Sequence, residues 1–436
     1  MKLLAIIVGK CASFALRLIH RGGSLPGKLA LRIDPQLLSR FHYSCDIILV
    51  SGTNGKTSTS NMIADLFQTA GQRVITNRKG DNLKEGITTT LLNASSLNGK
   101  IHGDMIVLEV DELNIPYVMK HLNVSVVTIT NFFRDQLDRS QEMEQLIHKI
   151  ETALQDFRGL LVLNANDPNV IRIHDHAPHS EVIYFGAERC SSSLTTTSEA
   201  SEGKFCPRCS ELLSYRFYQY SHIGEFQCTG CDFQTPKATL TATDIDIQSG
   251  TFQCQHIAYH APVPSLYSIY NCMAVISIAQ RYHMEPEICQ KVFHSVTPPA
   301  GRNETFQWQG NSYTLNLVKN PTGANEVLKT IELDQSSKAL MIVLNDNAQD
   351  GTDVSWIYDA QFERVLALST QTIICSGKRA YDMALRIKYA GYQGKLEVIE
   401  DFHAGLNALY ALHMRSYVIA TYTALAPVRL VMRKEG

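Results

Sequence analysis

The sequence predicts an α/β protein built on parallel sheets that are covered by helices. Four apolar stretches have the length and composition of buried strands: 46–50, 104–110, 124–130 and 159–164. Helical patterns lie between them, as at 57–70 and 141–157. Strands that alternate with helices in this way are typical of a parallel sheet with helices on its faces.

A second alternating series predicts a second domain. It starts after Thr297-Pro-Pro-Ala-Gly-Arg302, in a chain of 436 residues that is long enough for two or three domains. We expect an N-terminal helix and connector at 1–45 and a main α/β domain at 46–300. A smaller Rossmann-like α/β domain is expected at 301–436.

A glycine-rich loop joins the first predicted strand to the first predicted helix. Its glycines let backbone N–H groups approach phosphate oxygens, and the helix that follows would place its N-terminus at the same anion. Lys56 would neutralise the β- and γ-phosphates of ATP, and the Thr57 hydroxyl would hold Mg²⁺. The residues expected to bind the nucleotide here are Gly52, Thr53, Asn54, Gly55, Lys56 and Thr57.

Acidic residues follow the strand predicted at 104–110. Carboxylates at the carboxyl end of a strand beside a phosphate loop are placed to hold Mg²⁺ directly or through water. Glu109 is the first candidate for this catalytic and metal-binding role, with Asp111 and Glu112 behind it. The alternative is an ordinary solvated strand end.

Four cysteines form two C-x-x-C pairs separated by 18 residues. Cys206, Cys209, Cys228 and Cys231 match the spacing of a four-cysteine zinc ribbon, which we place at about 201–236. Such a closed site has no open position for water, so the zinc is expected to be structural. Tyr, Phe, Glu and Ser border the ribbon rather than a Lys/Arg patch, so no nucleic-acid partner is expected.

Net charge and cysteine usage indicate a cytoplasmic protein. The net charge of −2 gives no general attraction to polyanions, and the other seven cysteines are scattered, as in a reducing compartment. Lys10 and Arg17 interrupt the apolar stretch within residues 1–20, and the uninterrupted part is too short to span a bilayer. We expect an amphipathic helix packed on the domain; the alternative is peripheral contact with the inner face of the membrane.

The loop Gly52-Thr-Asn-Gly-Lys-Thr57 resembles the form found in Mur-type amide ligases and folylpolyglutamate synthases. Thr130-Asn-Phe-Phe-Arg-Asp-Gln-Leu-Asp138 resembles a Mur ligase motif in which a His stands where this chain has Gln136. That change leaves the second metal site of those enzymes in doubt, whereas Asn131 is retained as a magnesium or phosphate-orienting residue. Asp138 would serve as a capping or orienting residue, and a catalytic role is the alternative.

Two further residues are assigned to the nucleotide through the same resemblance. Asn271 lies in a segment similar to the Mur ligase helix near the adenine, where it would contact the base edge. Arg302 lies in a Gly-Arg-x-Glu segment similar to the Mur domain junction, where it would meet a phosphate as the domains close.

Taken with the four cysteines and the segment Asp346 to Asp359, these motifs resemble the MurT family, the Mur-ligase-like subunits of lipid II isoglutaminyl synthases. The resemblance covers nearly the whole chain. It implies a Mur-ligase-like phosphate-loop middle domain that carries the zinc ribbon, with ATP, Mg²⁺ and structural Zn²⁺ as cofactors. It also implies that ATP activates the D-glutamate α-carboxylate of the lipid II stem peptide as an acyl phosphate, which ammonia converts to D-isoglutamine.

The ammonia would come from a glutaminase partner, a GatD-like glutamine amidotransferase subunit. This division agrees with the chain itself, in which no cysteine sits in a G-x-C-x-G nucleophile elbow. In the family, an Asp of the segment Asp346 to Asp359 completes the partner's Cys–His pair. Asp353 is the best match and Asp350 the second.

Two other functions stay open at this point. One is an amino-acid-adding Mur or folylpolyglutamate-type ligase, which would favour a His at position 136 and a carbamylated lysine. The other is a zinc-ribbon binding module with a degenerate nucleotide site. Turnover of ATP with lipid II and ammonia would separate the three.

Overall fold

The computed structural model describes residues 1–18, 23–78, 81–133, 143–197, 199, 202–296 and 301–435. These residues form two compact units. The first lies within residues 1–296, and the second is built mainly from the residues after 300, with Phe133 and Glu199 also belonging to it. Gln136 and Asp138 lie outside the described residues.

The first unit is organised around one large sheet. Its strands in chain order are β1 (Ile47–Ser51), β2 (Val74–Thr76), β3 (Met105–Glu109), β4 (Val126–Ile129), β5 (Leu160–Asn164), β6 (Glu181–Ala187), β7 (Leu213–Tyr220), β8 (Ile223–Cys228), β9 (Leu240–Asp246), β10 (Thr251–Cys254) and β11 (Ile257–His260). All except β7 and β8 join a sheet of order β11-β10-β9-β6-β5-β4-β1-β3-β2. From β9 to β2 neighbouring strands are parallel, and β10 and β11 add an antiparallel edge.

Helices cover both faces of this sheet. In chain order they are α1 (Lys2–Leu18), α2 (Leu25–Ile33), α3 (Leu37–Arg40), α4 (Lys56–Thr69), α5 (Lys84–Ala94), α6 (Ile115–His121), α7 (Met143–Leu154), α8 (Pro168–Asp175), α9 (Leu266–Arg281) and α10 (Pro286–Ser295). Because the central strands are covered on both sides, β1, β3, β4 and β5 are buried at every position. Their near-continuous apolar sequences follow from that burial.

The start of the chain contains more helix than the sequence predicts. The expected N-terminal helix is present as α1, and Ala5 and Ile6 bury completely in the core of the first unit. The connector expected up to residue 45 instead contains α2 and α3. Pro26 occupies the first turn of α2, where a proline costs no helical hydrogen bond.

Strands β7 and β8 form a separate antiparallel pair that belongs to the cysteine ribbon. The ribbon has a small core of its own, in which Leu213, Phe226 and Phe233 pack with Cys206 and with Ile171 of α8. Arg208 ties the ribbon to the end of α8 through a two-pronged ion pair with Asp175, each prong 2.7 Å long. The ribbon is therefore an insertion that docks on the main sheet domain.

The second unit has its own mixed sheet. Its strands are β12 (Glu304–Trp308), β13 (Asn311–Leu317), β14 (Lys338–Val343), β15 (Thr370–Ser376), β16 (Lys395–Val398) and β17 (Ser416–Ala420), in the order β12-β13-β17-β14-β15-β16. Only the β12–β13 pair is antiparallel. The helices are α11 (Pro321–Glu332), α12 (Trp356–Asp359), α13 (Ala380–Tyr389), α14 (Phe402–Tyr410) and α15 (Tyr422–Glu435).

The predicted fold class is confirmed. Parallel, helix-covered sheets form both units, and a cysteine ribbon is inserted in the first. Among the described residues, we find no helix with the length and apolar content needed to cross a membrane.

Candidate active site

The predicted phosphate loop lies at the carboxyl end of β1, between β3 and β4. Two of its glycines are required by the space around them. A Cβ on Gly52, whose φ is +123°, would lie 2.3 Å from Thr130 Oγ1. A Cβ on Gly55, whose φ is +85°, would lie 2.3 Å from Asn271 Oδ1. The loop can therefore approach its neighbours closely and deliver the chain into α4, whose N-terminus suits an anion.

Asn131 and Thr130, just after β4, fix the shape of this loop. The Asn131 side chain accepts from the Asn54 N–H at 2.9 Å and donates to the Asn54 carbonyl at 3.0 Å. The Asn131 carbonyl accepts from the Thr53 N–H at 2.9 Å, and Thr130 Oγ1 donates to the Asn54 carbonyl at 2.8 Å. Asn131 thus holds the loop in shape through Asn54.

Asn271 lies on α9 with its side chain against Gly55. The residue is buried, and α9 packs along α4. The structure therefore places Asn271 at the phosphate loop, the same region as Asn131.

Lys56 opens α4 and is nearly buried. Its Nζ donates to the Gly52 carbonyl at 2.5 Å and to the Thr53 carbonyl at 3.3 Å. It also forms a salt bridge of 3.1 Å with Glu112 Oε2, in which both side chains are 9% exposed. A cation thus stands inside the curve of the loop, where phosphate oxygens would arrive, with one carboxylate balancing its charge.

The three acids after β3 have three different surroundings. Asp111 accepts from the Leu113 N–H and so caps the turn after the strand, while Glu112 pairs with Lys56. Glu109 lies beside Val50 in the parallel register of β3 and β1, so it flanks the start of the loop. Its Oε1 accepts from Asn82 at 2.9 Å, but its buried Oε2 has no hydrogen-bond partner among the described residues.

That buried oxygen makes Glu109 a fitting ligand for a cation. Carboxylate and hydroxyl oxygens are the donors that Mg²⁺ takes, usually together with water and substrate phosphates. Thr57 is half-buried in the first turn of α4, next to Lys56. The residues present fit the metal that was predicted at this edge of the sheet.

The four cysteines converge. Their Sγ atoms all lie within 4.8 Å of one another, with Cys206 to Cys231 at 3.6 Å and Cys209 to Cys228 at 3.4 Å. Backbone N–H groups of Arg208 and Gly230 donate to the sulfurs of Cys206 and Cys228. These separations suit four thiolates around one metal ion.

The tip of the ribbon hairpin is bonded to the carboxyl end of β5. The backbone carbonyl of Asn166 accepts from the Gly224 N–H at 2.9 Å, and the side-chain amide of Asn166 donates to the Gly224 carbonyl at 3.1 Å. His222 Nε2 lies 3.4 Å from Asp167 Oδ1, and both side chains are fully buried. The hairpin therefore ends on two consecutive polar residues of the sheet domain.

Those two residues connect the ribbon to the loop-shaping residues. Asp167 Oδ2 accepts from the N–H of Phe132, the residue after Asn131, at 2.9 Å. Asn166 Oδ1 accepts from the hydroxyl of Tyr270, the residue before Asn271, at 3.0 Å. The ribbon and the phosphate loop are thus two ends of one buried polar network.

A cavity of about 570 Å³ opens at the same ends of β5 and β6. Ala165, Asn166 and Ala187 line it from the sheet side, and Arg216 and Glu225 line it from the ribbon hairpin. Arg216 and Glu225 form a 3.2 Å ion pair. The ribbon therefore supplies one wall of a polar cavity at the carboxyl edge of the sheet.

The remaining predicted residues belong to the second unit. Arg302 is half-buried in the turn before β12. Asp353 is exposed in the loop between β14 and α12, and its carboxylate accepts from the N–H and hydroxyl of Ser355. Asp350 is buried, and its carboxylate accepts from the N–H and hydroxyl of Thr423 and from the Asn347 N–H. Of these two aspartates, Asp353 is the one whose carboxylate another chain can reach.

Sequence reasoning missed the network behind the loop. Asp167 had a signal, because the polar run Asn164-Ala-Asn-Asp167 follows a buried strand. His222 had none, since it is a lone histidine in a hairpin far along the chain. Glu112 was ranked behind Glu109, and the structure distinguishes them by their partners.

Comparison with known proteins agrees with these features. Residues 50–279 match the family model of the Mur ligase middle domain, and residues 317–425 match that of the MurT ligase C-terminal domain. The chain is 32% identical to the MurT subunit of the glutamine-hydrolysing lipid II isoglutaminyl synthase of Staphylococcus aureus (strain COL), over 97% of this chain and 96% of that one. It is 31% identical to the corresponding subunit of Streptococcus pneumoniae (strain ATCC BAA-255 / R6), over 99% and 98%.

Solved structures share the fold at lower identity. A pseudomurein peptide ligase type C from Methanothermus fervidus has a TM-score of 0.67 and 19% identity, covering 92% of this chain and 81% of that one. The Mycobacterium tuberculosis folylpolyglutamate synthase has a TM-score of 0.59 and 14% identity, covering 97% and 99%. These likenesses concern the fold alone. From the relatives that match over nearly the whole length, the chain belongs to the family of MurT subunits of lipid II isoglutaminyl synthase, and it is a ligase.

Proposed function

We propose that this chain amidates the α-carboxylate of D-glutamate in the stem peptide of lipid II, with ATP as the energy source and ammonia as the nitrogen donor. The observation that carries the proposal is the 32% identity, over 97% of the chain, to a subunit named for lipid II isoglutaminyl synthase. The phosphate loop with a nearly buried Lys56 supports the ATP-dependent part.

In the first step a carboxylate oxygen of the substrate attacks the γ-phosphorus of ATP, and ADP leaves. Little covalent chemistry falls to the protein, so positioning and charge stabilisation supply the rate. The N–H groups of the loop and the N-terminus of α4 would cradle the phosphates. Lys56 would exchange its bond to Glu112 for one to the transferring phosphoryl group.

Mg²⁺, when bound, neutralises phosphate charge during the transfer. Glu109 and Thr57 are the residues that would hold it. Asn131 contributes through the loop conformation, and Asn271 is the residue proposed to contact the base edge. Arg302, which belongs to the second unit, is proposed to contact a phosphate of the nucleotide.

In the second step ammonia attacks the acyl carbon of the acyl phosphate, inorganic phosphate leaves, and the nitrogen loses a proton. We propose that a GatD-like glutaminase subunit supplies the ammonia and that the two chains form a heterodimer. The exposed carboxylate of Asp353 is proposed to complete the partner's Cys–His pair, where it would orient the imidazole.

We propose Zn²⁺ as the metal held by the four cysteines, because four converging thiolates are its typical structural site. Its role would be to close the ribbon and not to take part in the reaction. We also propose that the reaction runs on the cytoplasmic side of the membrane, where ATP and a lipid-linked substrate meet.

The test is a reconstituted reaction with the full chain, a glutaminase partner, lipid II, ATP and Mg²⁺. Mass spectrometry of the product should show one carboxylate converted to an amide, with one ADP formed for each amide. Lys56→Ala is the negative control. The same reaction with amino acids in place of glutamine separates amidation from the ligase alternative. An amino-acid adduct, in place of a primary carboxamide, would refute the proposal.

A further inference from the structure

Helix α1 places its large apolar side chains on the outside of the protein. The residues buried against α2 and α5 are small apart from Ile6: Ala5, Gly9 and Ser13. A Cβ on Gly9 would lie 2.9 Å from the δ carbons of Leu92 and 3.3 Å from the Ala30 Cβ. The small residues therefore let α1 sit close to its neighbours.

The outward stripe of α1 is apolar throughout. Its members are Leu3, Leu4, Ile7, Cys11, Phe14, Ala15 and Leu18. At 100° per residue they fall within about 120° of one another, so they form one continuous face. Phe14 is 66% exposed and Leu18 is 68% exposed. A helix that only packed on the domain would bury these side chains and expose the small ones.

The charge around this stripe is positive. The first 33 residues contain six Lys and Arg and no Asp or Glu, although the whole chain has a net charge of −2. Lys10 and Arg17 lie along one border of the stripe on α1, and Lys28 and Arg32 are exposed on the neighbouring α2. Among the described residues, none of these four cations forms a salt bridge. Burial, and then the neighbouring Arg17, lower the pKa of Lys10, as expected for a cation whose near charge is another cation.

We propose that this α1 stripe and its flanking cations form a docking surface for a bilayer that contains anionic phospholipid. An apolar helical face with a basic border lies in the plane of a membrane interface, with its apolar side chains among the acyl chains and its cations near the headgroups. The proposal deepens the proposed function, on which its usefulness rests, because a lipid-linked substrate is met at such a surface.

The test measures binding of the full chain to vesicles of phosphatidylcholine, with and without phosphatidylglycerol, by flotation. No substrate is needed. Binding should require phosphatidylglycerol and should weaken as salt is added. Leu4→Gln/Phe14→Gln should lower the partition coefficient more than about tenfold, because two apolar anchors are lost. Lys10→Glu/Arg17→Glu should remove the preference for phosphatidylglycerol.

Leu212→Gln is the matched control, since Leu212 is 56% exposed on the ribbon, away from α1; it should bind as the unaltered chain does. Equal vesicle binding by Leu4→Gln/Phe14→Gln, or no binding by the unaltered chain, would overturn the proposal. So would a result in which Leu4→Gln/Phe14→Gln instead loses the glutaminase partner, because the stripe would then be a protein interface.

Amidation of a water-soluble, short-chain lipid II analogue keeps the two proposals separate. It should proceed equally in the unaltered chain and in Leu4→Gln/Phe14→Gln. Vesicle binding without amidation of the analogue would leave the docking surface standing and refute the proposed function. Amidation without vesicle binding would do the reverse.

Discussion

Lys56 and Glu112 form a charge pair that is almost fully enclosed, with each side chain 9% exposed. Removing one member of such a pair leaves the other buried charge without this ion pair, which costs about 3–5 kcal/mol of stability. Lys56→Ala should therefore both lower the melting temperature and abolish ATP-dependent turnover. By itself that variant does not separate a folding role from a catalytic one.

The double variant Lys56→Met/Glu112→Gln separates the two roles. Because both charges are gone, most of the lost stability should return, while kcat/KM stays lower by at least about a thousandfold. Thermal unfolding and ADP release on the same samples check this. Recovery of activity together with stability would show that Lys56 serves the fold and not the phosphoryl transfer.

Asp353 and Asp350 lie three residues apart but differ in what their carboxylates do. Since Asp353 is exposed, Asp353→Asn should impair lipid II amidation driven by glutamine and leave most of the activity driven by free ammonium. The reason is that ammonium bypasses the glutaminase, whose histidine this Asp would orient. The assay is one amidation reaction run with two nitrogen donors.

Asp350→Asn is the companion variant. Asp350 is buried and holds Thr423 and Asn347, so its amide analogue should lose about 1–3 kcal/mol of stability and reduce both activities together. Equal losses with glutamine and ammonium for Asp353→Asn would instead place Asp353 in the ligase reaction or in the fold.

At the scale of elements, the ribbon brings four cysteines together and also contacts the carboxyl end of β5. Its hairpin tip contacts Asn166 and Asp167. Asn166 accepts from the hydroxyl of Tyr270, which precedes Asn271. Asp167 accepts from the N–H of Phe132, which follows Asn131. His222→Ala should therefore weaken ATP binding about tenfold, by a coupling typical of residues that share one polar network. Calorimetric titration with a non-hydrolysable ATP analogue measures it, with the metal content determined on the same sample.

Phe233→Leu controls for a general loss of ribbon stability. Phe233 packs in the ribbon core and lies under Arg208, away from the hairpin tip. Its substitution should cost about 1 kcal/mol of stability and leave nucleotide affinity unchanged. Should Phe233→Leu weaken ATP binding as much as His222→Ala does, the coupling would be a matter of overall stability and not of the His222–Asp167 contact.

The sequence predicted the elements whose signals are local. The strand, glycine loop and helix around Lys56 carry their signal in consecutive residues, and so does each cysteine pair. The structure has the strand and the helix on either side of the loop, and it brings the four cysteines together. Contacts between residues that are far apart in the sequence were not predicted. His222 and Asp167 lie 55 residues apart in the numbering, and only the docking of the ribbon joins them. The helix α2 was missed because Pro26 and Gly27 suit both a turn and a first helical turn.

At the scale of the whole molecule, each unit has its own sheet and its own core. The predicted boundary near residue 301 rested on turn residues before a new alternating series. Sequence reasoning did not anticipate that Glu199 would belong to the second unit. There its carboxylate contacts Lys329 of α11 at 2.8 Å, and Glu326 contacts the same cation at 2.7 Å.

These two facts lead to a prediction for residues 301–436 expressed alone. The fragment should unfold cooperatively on heating, because it keeps the six-stranded sheet and the helices that cover it. It should not turn over ATP, since the loop around Lys56 is absent, but it should still elute with the glutaminase partner, because it keeps the Asp353 segment. Lys329→Met tests the role of Glu199, because it removes a cation that contacts two carboxylates in the full chain and one in the fragment. The stability lost should therefore be larger in the full chain. A fragment that does not fold, or that folds but does not bind the partner, would place part of the second unit or of its docking surface before residue 301.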